Sequence, residues 1–445
     1  MGVLTMIAQL ILSLSILVVL HEMGHFAPAK WFKTRVEKFY LFFDVKFSLF
    51  KKKIGETEYG IGWLPLGGYV KISGMVDESM DTEQLKQPPQ PWEFRSKPAW
   101  QRLIIMLGGV TVNFILGFLI FGMMLWGYGK EYLENDKLQY GIYVDSIGTE
   151  IGLKDGDKIL SIGGEKVVQF YPAMLRKDIV LNNAKEIIIY RDSSEMTIHV
   201  DPKFVQVLSS GDYNSYSVIG PRIPFVVGKV TAGSHADKAG LQAGDEIVYV
   251  NNKPAAFQHE VVKALRDTKG QKINIGYKRN GLQAETNVDV DEHGKIGIAL
   301  KSAAEFGWTG REEYTLARAI PGGFTEGIDF MGDWFKGIGQ LFRGNVKAKD
   351  SLGGFITITK LFSTTWDWES FWRITGILSF ILAIMNLLPI PALDGGHVMF
   401  LLYEVVTGRK PSDKFMEYAT YVGFAFVLGL LILANGFDIM RLFGK

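Results

Sequence analysis

Five consecutive residues near the start of the chain, His21-Glu22-Met23-Gly24-His25, carry the side chains and spacing of a hydrolytic metal site. On a helix, residues four apart share a face, so both imidazoles can reach one ion. Glu22 stands beside them, able to take a proton from an attacking water. Five residues are a common chance pattern, but these close an apolar stretch, where three ionisable side chains are costly unless used. A catalytic zinc takes three protein ligands and keeps a fourth position open. The stretch from Asn386 to His397, NLLPIPALDGGH, offers two further donors, Asp394 and His397. Pro389 and Pro391 break a helix there, and backbone freed inside a membrane is tolerated only where protein lines a cavity. On the residues alone, Asp394 and His397 are both acceptable as third ligand. His199, His235, His259 and His293 lie in a separate segment and read as ordinary surface or core residues.

The rest of the sequence must bring these two motifs together. The 445 residues are 47% hydrophobic and 21% charged, with mean hydropathy +0.12, which implies apolar residues gathered into membrane spans. The absence of cysteine excludes disulfides, thiol catalysis and cysteine-zinc sites, and a net charge of +1 gives no reason to expect nucleic acid. Four stretches approach the ~20 apolar residues a bilayer requires, at about 3–26, 103–128, 371–388 and 418–434. The first lacks the basic leader and cleavage site of a signal peptide. Basic clusters follow the first span (Lys30 to Lys53), precede the second (Arg95, Lys97, Arg102) and separate the third from the fourth (Arg409, Lys410, Lys414). With four spans all three clusters share one side, which is then cytoplasmic. That topology sets HEMGH and Asp394 at similar depth. Both termini and the large segment from Gly129 to Ser370 face outward.

That outward segment repeats itself. GLKDGDKILSIGGEKV starts at Gly152 and GLQAGDEIVYVNNKPA at Gly240, sharing G-L-x-x-G-D-x-I about 88 residues apart. The Gly-Asp pair suits a tight turn and the following Ile a strand. The pattern resembles tandem PDZ domains of the protease-associated type, over about 130–304. Such domains capture peptides by strand addition or stand as rigid spacers. Between them and the third span, LARAIPGGFTEGIDFMGDWFKGIGQLFRGN reads as amphipathic helix, lying on the outer membrane surface or packed against the repeats. The expected order is a first span with HEMGH (1–29), a cytoplasmic-side loop with a β region (30–102) and a second span (103–128). Two repeats (129–220 and 221–304), a helical segment and linker (305–370) and a third span with NLLPIPALDG (371–402) follow. A cytoplasmic loop (403–417) and a fourth span with tail (418–445) complete it.

Taken together, HEMGH, N-x-x-P-x-P-x-L-D-G from Asn386, the paired repeats, GIGWLPLGGYVKISGM from Gly60, and Gly109 with Asn113 in MLGGVTVNFILG resemble the site-2 proteases, in the regulator-of-sigma-E branch. The resemblance implies a multi-pass α-helical membrane protein with four transmembrane helices, a membrane-associated β region and two extracytoplasmic, β-rich PDZ domains. It implies a zinc endopeptidase of the bacterial inner membrane, its active site towards the cytoplasm. His21, His25 and Asp394 would hold Zn2+, with Glu22 as base. Asn386, Pro389 and Pro391 would keep the substrate unwound, while the stretch 39–75 pairs with it, its polar run KKKIGETEYG expected as a solvated turn. Implied partners are the lipid bilayer and single-pass membrane proteins, such as anti-sigma factors or signal-peptide remnants. The chain departs from the branch at Leu41-Phe42-Phe43-Asp44 and at Gly353-Gly354-Phe355. A zinc transporter or receptor has no need of Glu22, and an anchored PDZ adaptor leaves HEMGH and NLLPIPALDG without a role. The sequence does not set the oligomeric state.

Overall fold

The computed structural model describes residues 2–65, 67–75, 87–209 and 218–443. Leu66 and 76–86, within the expected β region and its loop, and 210–217, within the expected first repeat, lie outside the described residues. The chain divides into two compact units. One comprises Met1–Gly129, Glu313–Trp334 and Leu352–Lys445; the other comprises Lys130–Glu312 and Phe335–Ser351.

Among the described residues of the first unit, four helices are long and apolar enough to cross a bilayer: Gly2–Trp31, Ala99–Tyr128, Trp368–Leu387 and Asp413–Leu442. Thirty residues of helix reach about 45 Å, beyond a ~30 Å hydrocarbon core. The first, second and fourth therefore continue past their apolar stretches, the first through Pro28 to Trp31. Lipid offers no hydrophobic force between helices, so small and polar residues carry the packing. A Cβ on Gly24 would collide with the backbone of Gly108 and Gly109, and one on Gly108 with the Gly24 carbonyl, so the first two spans touch backbone to backbone. Buried hydroxyls and amides join the first three spans. Thr375 Oγ1 donates to Ser13 Oγ (2.9 Å) and Ser379 Oγ to the Asn113 carbonyl (2.8 Å), while Gln9 Nε2 ties the first span to the Ser363 carbonyl (2.8 Å) ahead of the third.

The third span ends at Leu387, and a new helix runs from Asp394 to Thr407. Pro389 and Pro391 interrupt the ladder between them. The turn packs tightly: a Cβ on Gly395 would strike the Leu387 and Leu388 carbonyls, and one on Gly396 the Ile390 carbonyl. Ala392 holds a positive φ of 154°, a strained backbone for a residue with a side chain. The segment expected to be amphipathic is a helix, Leu316–Phe342. Its portion up to Trp334 belongs to this unit and packs on the second span, with Phe324 against Phe118 (ring centres 4.6 Å apart).

After the first span comes a four-stranded sheet of β1 (Val36–Leu41), β2 (Phe43–Ile54), β3 (Thr57–Leu64) and β4 (Tyr69–Ile72), in the order β2-β3-β1-β4. β1 and β3 run parallel, and the other pairs antiparallel. The polar run KKKIGETEYG, expected as a solvated turn, is instead strand on both sides of a tight turn at Gly55-Glu56. Main-chain pairing of Lys51, Lys52 and Lys53 with Gly60, Tyr59 and Glu58 carries the hairpin although the three lysine side chains stay exposed.

The second unit holds two β-rich lobes, each with its own apolar core. The first has the order Ser194–His199, Glu186–Arg191, Lys158–Ile162, Glu165–Lys166. The second runs Leu282–Asp289, Lys272–Arg279, Glu246–Val250, Lys253–Pro254 in the matching sense. Both contain the same buried clamp. Asp157, in the Gly-Asp turn, accepts from Arg191 Nε (2.7 Å) and Nη2 (2.6 Å), while Arg191 also bonds the Gly152 carbonyl. Asp245, Arg279 and Gly240 repeat the arrangement. The segment enters and leaves through paired strands, Lys130–Glu134 against Thr309–Glu312.

Candidate metal centre

Each metal-type side chain is placed by a local feature of its helix. One helical turn separates His21 from His25, and both lie buried where the first span crosses the second. Asp394 arrives from the far end of the sequence as the first residue of its helix, aimed by the Pro389–Leu393 turn. His21 Nε2, His25 Nε2 and Asp394 Oδ2 stand 3.3 Å from one another along every edge of a triangle. Four ligands placed tetrahedrally at about 2.0 Å from an ion lie about 3.3 Å apart, so these atoms form one face of such a tetrahedron.

The hydrogen bonds behind the triangle fix what its atoms present. His25 Nδ1 lies 2.8 Å from the Ile105 carbonyl, which can only accept, so the hydrogen sits on Nδ1 and Nε2 offers a lone pair. His21 Nδ1 lies 3.1 Å from the side-chain amide of Asn113. With its oxygen turned towards the ring, that amide accepts a hydrogen from Nδ1, which also satisfies an otherwise unpartnered, buried Asn113 oxygen. Asp394 Oδ2 is likewise buried without a hydrogen-bond donor. Three electron-pair donors thus face one point with no hydrogen between them. A cation there resolves the arrangement.

A cavity of about 110 Å³ opens beside the triangle, lined by Glu22, Asn386, Ala392, His397 and β4 residues including Tyr69 and Val70. The Asn386 amide nitrogen is 3.3 Å from His21 Nε2. Of the residues expected at the site, His21, Glu22, His25, Asn386 and Asp394 border this one space. Pro389 and Pro391 shape the adjoining turn without lining the cavity. His397 lines it but contributes no atom to the triangle. The chain positions that sequence reasoning missed are the Ile105 carbonyl and Gly24. Neither has a local signal, since a carbonyl at any residue type looks alike and Gly24 passes as the x of H-E-x-x-H.

A second group, Asp155, His259 and Glu260, joins the two lobes of the other unit. Its closest atoms are wider apart, 3.8 and 3.9 Å from His259 Nε2, and the Arg222 guanidinium already lies 3.6 Å from Glu260. Burial pushes the His259 imidazole below its ordinary value, more than the two carboxylates raise it. That group has the character of a neutral, packed histidine, stacked on Tyr143 at 4.5 Å.

Four spans around a buried His-His-Asp face, with a glutamate beside it, define an intramembrane metallohydrolase. The family model for peptidase family M50 matches residues 9–430. The chain belongs to that family, the site-2 metalloproteases. It is 28% identical to the regulator of sigma E protease of Haemophilus influenzae, over 99% of this chain and all of that protein. It is also 28% identical to a protein of Neisseria meningitidis and 29% identical to one of Campylobacter jejuni, both named "Putative zinc metalloprotease". Those matches cover 98% of this chain, and 98% and 93% of the two relatives. Among solved structures, the PDZ domain of an SdrC-like protein from Listeria monocytogenes shares 24% identity over 17% of this chain and 86% of its own, with a TM-score of 0.16. So low a score carries no argument about the fold.

Proposed function

We infer that this protein is a zinc endopeptidase that hydrolyses peptide bonds within transmembrane segments of other membrane proteins. The observation that carries the reading is the 3.3 Å triangle of His21, His25 and Asp394, with Glu22 on the adjoining cavity. A zinc ion held by those three residues supplies a Lewis acid that makes water acidic near neutral pH and stabilises negative charge on a carbonyl oxygen. Glu22 takes the proton of the attacking water and returns it to the leaving amine.

A helical substrate hides its carbonyls, so it must be opened. β4 is the last strand of its sheet and lines the cavity, which suits strand addition by an extended segment. Asn386 would hold that segment by hydrogen bonding, with the Pro389–Pro391 turn beside it. The two repeated lobes are read as extracytoplasmic PDZ domains that filter or recruit substrate, and the metal centre as lying towards the cytoplasm. The substrate class is single-pass membrane proteins, with anti-sigma factors and signal-peptide remnants as leading cases; the name of the Haemophilus relative supports the first.

The test uses full-length protein in lipid nanodiscs with a membrane fraction from its own host. Glu22→Gln is expected to keep its zinc and lose all cleavage of transmembrane fragments. Asp394→Ala is expected to lose zinc. Turnover by Glu22→Gln, or full metal occupancy in Asp394→Ala, would sink the assignment.

A further inference from the structure

Among the ionisable side chains on the cavity, His21, His25 and Asp394 meet in the triangle, and Glu22 is taken by proton transfer. The Tyr69 hydroxyl is committed to Asp44 at 2.8 Å. His397 remains. It lies three residues beyond Asp394 on the same helix and therefore on a shared face, open to the same cavity. Its ring nitrogens make no hydrogen bond to any described residue and give no atom to the triangle. The residue is half-buried on the wall of a cavity that polar side chains line, so its ring is left to meet a hydrogen-bonding group that enters there.

We propose that His397, as a neutral imidazole, donates its ring N–H to the oxygen of the scissile carbonyl and holds that oxygen as it gains negative charge. The proposal rests on the peptidase reading of the site. The two polar groups enter from different helices and divide the work. Glu22, an acceptor on the first span, suits the proton of water. His397, which can donate without ionising, suits the oxygen that becomes anionic. No bond to His397 forms or breaks, and it gives up no proton. Preplaced donors of this kind act mainly on the transition state, because the charge they meet exists only there.

His397→Ala and His397→Asn are compared with the wild type in nanodiscs. Three quantities are read: zinc per chain, turnover of a quenched-fluorescence transmembrane peptide, and affinity for a phosphinic peptide that mimics the tetrahedral intermediate. In His397→Ala, zinc should stay at the wild-type level while kcat falls by on the order of 10²-fold, with KM nearly unchanged. Phosphinic-peptide affinity should fall with kcat. His397→Asn keeps an N–H donor and should recover part of both. Loss of zinc in His397→Ala would make the residue a ligand and overturn the proposal. So would kcat and phosphinic affinity within twofold of wild type. A wild type that holds zinc but neither cleaves the peptide nor binds the phosphinic compound would overturn the peptidase reading itself, and this proposal with it.

Discussion

At the scale of single residues, the metal centre depends on an atom that is not there. A Cβ on Gly109 would meet His25 Nε2 and the His21 ring together. The clash is relieved only by turning an imidazole out of the triangle or by parting the first two spans, whose backbones already touch. Overpacking of a tight site costs about 1–3 kcal/mol, and here the strain falls on the ligands. Gly109→Ala should therefore weaken zinc binding by about tenfold to a hundredfold, measured by equilibrium dialysis, and affinity within twofold of wild type would reject the argument. The histidine pair and Glu22 were legible in the sequence because their spacing is local to one helix. Asp394 and His397 were not separable there. The distinction arises from where the helix restarts after Ala392, and three residues of offset decide which side chain enters the triangle and which stays on the cavity wall. Asn113 stood out by resemblance alone, since its bond to His21 spans 92 residues of sequence.

At the scale of elements, the second span organises the site from both ends. Gly109 and Asn113 face the histidines, while Arg102 pairs with Glu404 at 2.5 Å and also donates to the Lys97 carbonyl. Glu404 belongs to the helix that begins with Asp394, so this pair fixes the third ligand's helix to the span that backs the other two. Both side chains are largely withdrawn from solvent, 8% and 18% exposed. Breaking one side of such a pair costs about 3–5 kcal/mol, whereas replacing both partners with apolar residues of similar size is often neutral. Arg102→Ala and Glu404→Ala should each lower the thermal midpoint clearly, and Arg102→Met with Glu404→Leu should restore most of it. Equal melting of single and double variants would show that the pair does not hold these helices. The four spans were readable from apolar length. The ion pair and the hairpin were not, because each depends on partners distant in sequence or on main-chain pairing that ignores side-chain polarity.

At the scale of the whole molecule, the repeat of about 88 residues proves to be a repeat of structure, down to one clamp used twice. Asp157 and Asp245 are the Gly-Asp aspartates of the sequence pattern, each fully buried and each held by an arginine 34 residues further on. The aspartates were visible as turn residues. Their arginines were not, since nothing local marks Arg191 or Arg279 as paired. Because the segment enters and leaves through adjacent strands, its ends lie side by side, Lys130 opposite Glu312. Joining Gly129 to Glu313 should therefore excise both lobes while leaving the metal centre, all of whose residues belong to the other unit. If the lobes filter by size, the shortened protein should keep its zinc and cleave membrane proteins with intact, folded ectodomains that the full chain spares. The measurement is the ratio of rates for one transmembrane segment carried with and without a bulky ectodomain. A filter predicts that this ratio rises towards one when the lobes are removed. A uniform fall in both rates, with the ratio unchanged, would reject the filter in favour of lobes that capture their substrates.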